Sequence, residues 1–175
     1  MKVYIVRHGE VLHNALKIYN NENEDLNDNG VKQSETLKSK IKDLEYDMII
    51  SSPLIRAKHT AEIINVKNKD ILIDNRLEER NPGNLNGKPI SYTNREEYWN
   101  FNSKVQYGTS ENMKEFFKRV YNFLDELKTN DYESVLIVAH SGVSKAFSGY
   151  FEKIQDGKFL NRELKNCEIK EYELN

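Results

Sequence analysis

Three short apolar runs rich in Val and Ile punctuate the chain: Val3 to Val6, Asp47 to Ile50 and Val135 to Ala139. Continuous hydrophobicity over so few residues is the pattern of strands covered on both faces in a parallel sheet. Ile71 to Ile73 is a candidate fourth strand, and Cys167 to Leu174 the expected last one. Between these runs the period becomes helical. Val31, Ser34, Leu37, Ile41 and Leu44 form one stripe, Met113, Phe116, Val120, Leu124 and Leu127 another, and Leu54 to Ile64 is a third amphipathic stretch. Helix starts are marked by Ser52-Pro53 and by Asn112 with Glu115 three residues on. Alternating strand and helix signals predict an α/β fold, with helices packed on a mostly parallel sheet.

Two stretches depart from this rhythm. Residues 20–30, NNENEDLNDNG, predict a solvated loop ending in a turn before the first helix. Residues 81–111 mix Gly, Pro, Asn and scattered aromatics without a clean period, and predict a short insertion beside the sheet rather than a second domain. At 175 residues the chain is expected to be one domain, 1–175, long enough to bury a core without disulfide or metal staples. No internal repeat is present.

Charge then narrows the function. The 26 basic and 28 acidic residues nearly cancel, which gives no long-range field toward nucleic acid or an anionic membrane. Functional positive charge must be local. The single cysteine, Cys167, excludes an internal disulfide framework and is expected to be a small buried hydrophobe. No apolar window approaches the length of a signal peptide core or a membrane span, so a cytoplasmic protein is expected.

In open α/β sheets the ligand crevice lies beyond the carboxyl ends of the strands. That rule gathers Arg7 and His8 after the first strand, Ser51, Ser52 and Arg56 after the second, and His140 after the run Val135 to Ala139. Arginine offers a planar fork of donors suited to phosphate oxygens, and helix starts after Ser52 and Ser141 would add backbone donors. A small phosphorylated substrate is the expected ligand. Gly9, without a side chain, would let the backbone approach it closely. His13 and His59 occupy no strand end and read as structural or surface residues. Taken singly, Arg7 could equally end a strand in solvent and Arg56 could be an exposed helix residue.

Four blocks carry a resemblance to a known family: RHGE at 7–10 with Asn14, SSPLIRAKHTAE at 51–62, RLEE at 76–79 leading to GNLNG, and VLIVAHSGV at 135–143. Together with LNDNGVKQS at 26–34 they resemble the histidine phosphatase superfamily, the phosphoglycerate-mutase-like group. The resemblance implies a three-layer α/β/α fold with a phosphate pocket of Arg7, His8, Arg56 and His140, and with Asn14 as a further contact. It also implies Glu79, rather than Glu78, as the proton donor. The sequence departs from common family patterns at Ser141, at His59, and at Pro82 with Leu85, the last pair bearing on pocket shape.

The chemistry suits these residues. Neighbouring guanidinium charge keeps an imidazole neutral, so His8 is the expected nucleophile toward phosphorus. Arg7, Arg56 and His140 would sit where charge spreads over the equatorial oxygens, and an acid such as Glu79 would protonate the departing alkoxide. No metal or cofactor is required by this scheme, and the four histidines and one cysteine show no zinc spacing.

A phosphatase acting on a small metabolite is therefore expected. A phosphoglycerate mutase using the same His8 is the alternative, disfavoured because Lys88, Arg95 and Lys104 are the only new cations in the insertion. A serine hydrolase is disfavoured because AHSGV at 139–143 has Ala139 and Val143 where a nucleophile elbow needs glycines, which leaves Ser141 as an N-cap. A binding module without turnover is the third possibility. Tyr92, Tyr98, Trp99, Phe101 and Tyr107 are expected to pack a small lid, or else to line a pocket for a ring or sugar, and Lys88 is a candidate contact by position.

Overall fold

The computed structural model describes residues 1–20, 23–154 and 156–175. Its centre is a five-stranded sheet built from β1 (Lys2–Arg7), β2 (Met48–Ser51), β3 (Ile71–Ile73), β4 (Ser134–Ala139) and β5 (Ile169–Glu173), in the order β3-β2-β4-β1-β5. β1, β2, β3 and β4 pair in parallel, and β5 runs antiparallel on the edge of β1. The sheet is mixed and mostly parallel, as the apolar runs predict.

Every residue of β4 is buried because both faces are covered. Val3 and Ile5, Met48 and Ile50, and Val135, Ile137 and Ala139 face one apolar cluster, which they share with α5 (Met113–Leu127) and α6 (Ser141–Glu152). Tyr4 and Val6, Ile49, and Leu136 and Val138 face the other, shared with α2 (Asp28–Ile41) and α3 (Ile55–Ile64). This period-two division of each strand between two helical layers makes the architecture three-layer α/β/α. α5 alone buries seven apolar side chains; truncating one of the fully enclosed ones, such as Phe116, would cost about 3–5 kcal/mol.

Several boundaries differ from the sequence expectation, each for a local reason. The second strand starts at Met48; Asp47 before it donates its N–H to Ser134 O at 2.9 Å, while its carboxylate accepts the N–H groups of Glu133 (2.8 Å) and Ser134 (3.1 Å). The last strand starts at Ile169, since Cys167 takes the left-handed conformation at φ 55°. α2 begins inside the stretch expected to be loop. Asn27 is its N-cap and accepts from the Gly30 N–H at 2.8 Å, the capping role for which Asn is favoured. The short α1 (Leu12–Leu16) buries no residue and so leaves no apolar stripe to read. Residues 81–111 hold two 3-10 turns, Gly83–Leu85 and Ile90–Tyr92, and α4 (Arg95–Tyr98). Leu85, Tyr98 and Trp99 from this segment join the apolar cluster of α5 and α6. Among the described residues no helix is long and apolar enough to cross a membrane.

Candidate active site

Parallel pairing sets the ends of β1, β2 and β4 side by side, with Arg7 opposite Ala139 and Ser51 opposite Val138. The ladder continues one residue further: the His8 N–H donates to Ala139 O at 2.9 Å and the Ser52 N–H to Val138 O at 3.0 Å. His8, Ser52 and His140 are thereby carried to one rim, and the two imidazoles lie 5.0 Å apart between ring centroids.

His8 is 2% exposed and its Nδ1 lies 2.6 Å from the Gly9 carbonyl oxygen. A carbonyl only accepts, so Nδ1 carries the proton and Nε2 keeps its lone pair. Burial, then the charges of Arg56 and Arg7, hold the ring well below the usual histidine pKa, and it is neutral at physiological pH. His140 is wholly buried, with Nε2 2.7 Å from Ser52 Oγ; burial and the Arg56 charge push it in the same direction. Arg56, in the first turn of α3, is 1% exposed, and Arg7 donates through Nη1 to Leu164 O at 2.9 Å. Neither arginine is the solvent-facing residue that its position alone allowed.

Glu79 follows a 3-10 turn at Asn75–Leu77, and both its oxygens accept from the Gly142 N–H at 3.0 Å, in the first turn of α6. The carboxylate thus sits on the positive end of that helix. Arg119 of α5 fixes the approach by donating to the carbonyls of Arg76 (2.7 Å), Glu78 (2.9 Å) and Glu79 (3.1 Å). The helix end expected to face phosphate therefore carries Glu79, and a Cβ at position 142 would fall 2.1 Å from Glu79 Oε1.

A cavity of about 250 Å³ opens over this rim. Arg7, His8, Asn14, Arg56 and Glu79 all line it, while His140 lies behind His8 and is not among the lining residues. The wall also holds Arg80, Arg95, Glu163 and Asn166, which no sequence motif had marked. Asn166 donates to His8 O at 2.9 Å and lies 3.3 Å from Asn14 Oδ1, bracing the segment after β1. Arg80 is 7% exposed and lies 4.0 Å over the Tyr98 ring. Its place beside Glu79 was the one available signal.

Other expectations resolve residue by residue. His59 pairs with Asp25 and His13 with Glu24, in keeping with surface and structural roles, although His13 also touches the cavity. Gly9 gives its room to α2 rather than to a ligand: an added Cβ would lie 2.5 Å from the Gly30 carbonyl oxygen. Ser141 is the first residue of α6 and His140 its N-cap, so the capping role assigned to Ser141 is corrected. Tyr98 and Trp99 are buried and line the cavity, Tyr92 is exposed, and Phe101 packs on Phe117. Lys88 lies over Tyr92 at 4.3 Å and is not part of the wall.

Residues 3–175 match the family model of the histidine phosphatase superfamily (branch 1). The chain belongs to this superfamily. Among its relatives, "Putative phosphoserine phosphatase 2" of Hydrogenobacter thermophilus is 33% identical over 83% of this chain and 75% of its own length. "Probable phosphoglycerate mutase GpmB" of Yersinia pestis is 33% identical over 80% and 69%. The crystal structure of the α-ribazole phosphatase from Shigella flexneri superimposes with a TM-score of 0.86 at 22% identity, covering all of this chain and 91% of that one, which shows a shared fold. In this histidine phosphatase superfamily member, a neutral imidazole with a free Nε2 shares one cavity with two guanidinium groups and a carboxylate. Such a set can take a phosphoryl group and return it.

Proposed function

We propose that this chain is a phosphatase that hydrolyses a small phosphorylated metabolite through a phosphohistidine at His8. The observation that carries the reading is the His8 ring, fixed by the Gly9 carbonyl with Nε2 unprotonated, in the same cavity as Arg7 and Arg56. In the first step the Nε2 lone pair attacks phosphorus. The ester P–O bond breaks, and protonated Glu79 gives its proton to the departing alkoxide. In the second step Glu79 takes a proton from water as the water oxygen attacks phosphorus. The P–N bond breaks, its electron pair returns to Nε2, and inorganic phosphate leaves. Arg7 and Arg56 hold the equatorial oxygens, Asn14 is a further contact, and His140 supports the charge from behind His8. The near balance of 26 basic against 28 acidic residues supports a small molecule rather than nucleic acid as substrate.

One observation favours the mutase reading: Arg80 and Arg95 line the same cavity, so a second acidic group would meet cations there. The discriminating experiment supplies the purified chain with p-nitrophenyl phosphate and a panel of phosphorylated metabolites, with and without a bisphosphorylated primer. Phosphate release exceeding isomer formation supports the phosphatase. Primer-dependent isomer formation without phosphate release overturns it.

A further inference from the structure

A carboxylate on the wall of an anion pocket weakens the field that attracts phosphate, so each one there calls for a reason. Glu10 is accounted for by Asn27 and Asn29, and Glu79 by Gly142. Glu163 is different. It lines the cavity with its side chain 26% exposed, and its Oε2 is bound by Lys145, a lysine of α6 whose side chain is wholly buried. Lys145 also donates to Phe159 O at 3.0 Å and lies 5.0 Å over the Trp99 ring. Burial opposes the ionisation of Glu163, but the hydrogen bond and charge of Lys145, with help from Arg95, hold its carboxyl below the usual value. Burial in turn pushes Lys145 down to about 8.

A structural staple would not need this pair. Replacing a buried ion pair by apolar residues of similar volume is often neutral or stabilising. The segment is moreover already tied to the site, by Arg7 Nη1 on Leu164 O and by the Leu164 N–H on Ser144 Oγ at 3.0 Å. We propose that Glu163 is a specificity residue that accepts a hydrogen bond from a hydroxyl on the alcohol half of the substrate, a phosphate monoester of a polyhydroxy alcohol. Lys145 is the positioning residue that presents the carboxylate. A neutral hydroxyl fits better than an ammonium, because Lys145 already compensates the charge and Arg95 and Arg7 lie within electrostatic reach of Glu163. The inference rests on the phosphatase reading.

The test uses the full chain and three alkyl esters of matched length: glycerol 1-phosphate, 1-propyl phosphate and 3-aminopropyl phosphate. The readout is kcat/KM for each ester relative to 1-propyl phosphate. In Glu163→Gln the amide oxygen serves Lys145 and the NH2 turned to the cavity can still donate to the hydroxyl, so the charged acceptor is exchanged for a neutral donor and the glycerol-to-propyl ratio should fall about threefold or more. The double variant Lys145→Met with Glu163→Met keeps the volume without an unpaired charge and leaves the hydroxyl no strong partner, so the ratio should fall about tenfold or more. A ratio held within about twofold in both variants makes the pair a staple and overturns the proposal. A fall confined to the aminopropyl ester overturns the hydroxyl assignment. Failure of the unmodified chain to release phosphate from any of the three, or from p-nitrophenyl phosphate, overturns the hydrolytic reading itself.

Discussion

Arg119 is the residue through which the proposed acid is most open to test without touching it. Its guanidinium donates to the carbonyls of Arg76, Glu78 and Glu79 at 2.7, 2.9 and 3.1 Å, and it binds both Glu111 oxygens at 2.8 and 2.9 Å. Arg119→Leu keeps much of the packing and removes all five bonds. Each bond to a charged group is worth about 1.5–3 kcal/mol when water is excluded. Here the Arg119 and Glu111 side chains are 24% and 20% exposed, so water replaces part of the loss. A net cost of about 3 kcal/mol follows, which for a chain of this size lowers Tm by roughly 6–12 °C. The kinetic consequence is separate, because the same bonds aim Glu79. With the 76–79 backbone released, turnover of an alkyl phosphate, whose alkoxide needs a proton, should fall about 10–100-fold more than turnover of p-nitrophenyl phosphate. Calorimetry and paired initial-rate assays measure both quantities on one preparation. A lowered Tm with equal kinetic losses on the two substrates would refute the link between Arg119 and proton donation.

Three further outcomes are expected. Glu79→Gln should slow alkyl phosphate turnover on the order of 10²–10³-fold and p-nitrophenyl phosphate turnover by under about tenfold, which a leaving-group series checks. Folding stability should change little between about pH 7.5 and 6.5 and fall in the window below about pH 6.5. His8 and His140 have folded pKa values well below 6.5, so in that window the unfolded chain binds protons that the folded chain does not. Two such groups give a slope of at most about 2.7 kcal/mol per pH unit, to be read from urea unfolding at several pH values. Gly9→Ala should destabilise by more than about 2 kcal/mol, because its Cβ meets the Gly30 carbonyl at 2.5 Å, and the loss should appear as a lowered urea midpoint.

The parts of this protein that were legible in its sequence are those that depend on period and on strand ends. VLIVA reads as a doubly covered strand because both its faces meet helices, and the residues after β1, β2 and β4 gather because parallel pairing leaves them no other place. What was not legible depends on contacts between distant segments without periodic spacing. Glu163 and Asn166 reach the cavity through the irregular stretch between α6 and β5, which is held by Lys145, Ser144 and Arg7 rather than by any repeat. Arg119 looks like an ordinary polar position on the outward side of an amphipathic helix until the turn at 76–79 is seen beneath it. Glu79 was found by resemblance, since nothing in composition separates it from Glu78. The seat of its carboxylate on the α6 N-terminus follows from the close approach that Gly142 permits.

The central claim is that His8 carries the phosphoryl group between substrate and water. Rapid quenching of the unmodified chain with ³²P-labelled substrate, followed by peptide mapping, tests it most directly. Label that is acid-labile and alkali-stable, confined to the peptide containing His8 and absent from a folded His8→Ala variant, is the predicted result. The same label on another peptide, or its persistence in His8→Ala, would contradict the account.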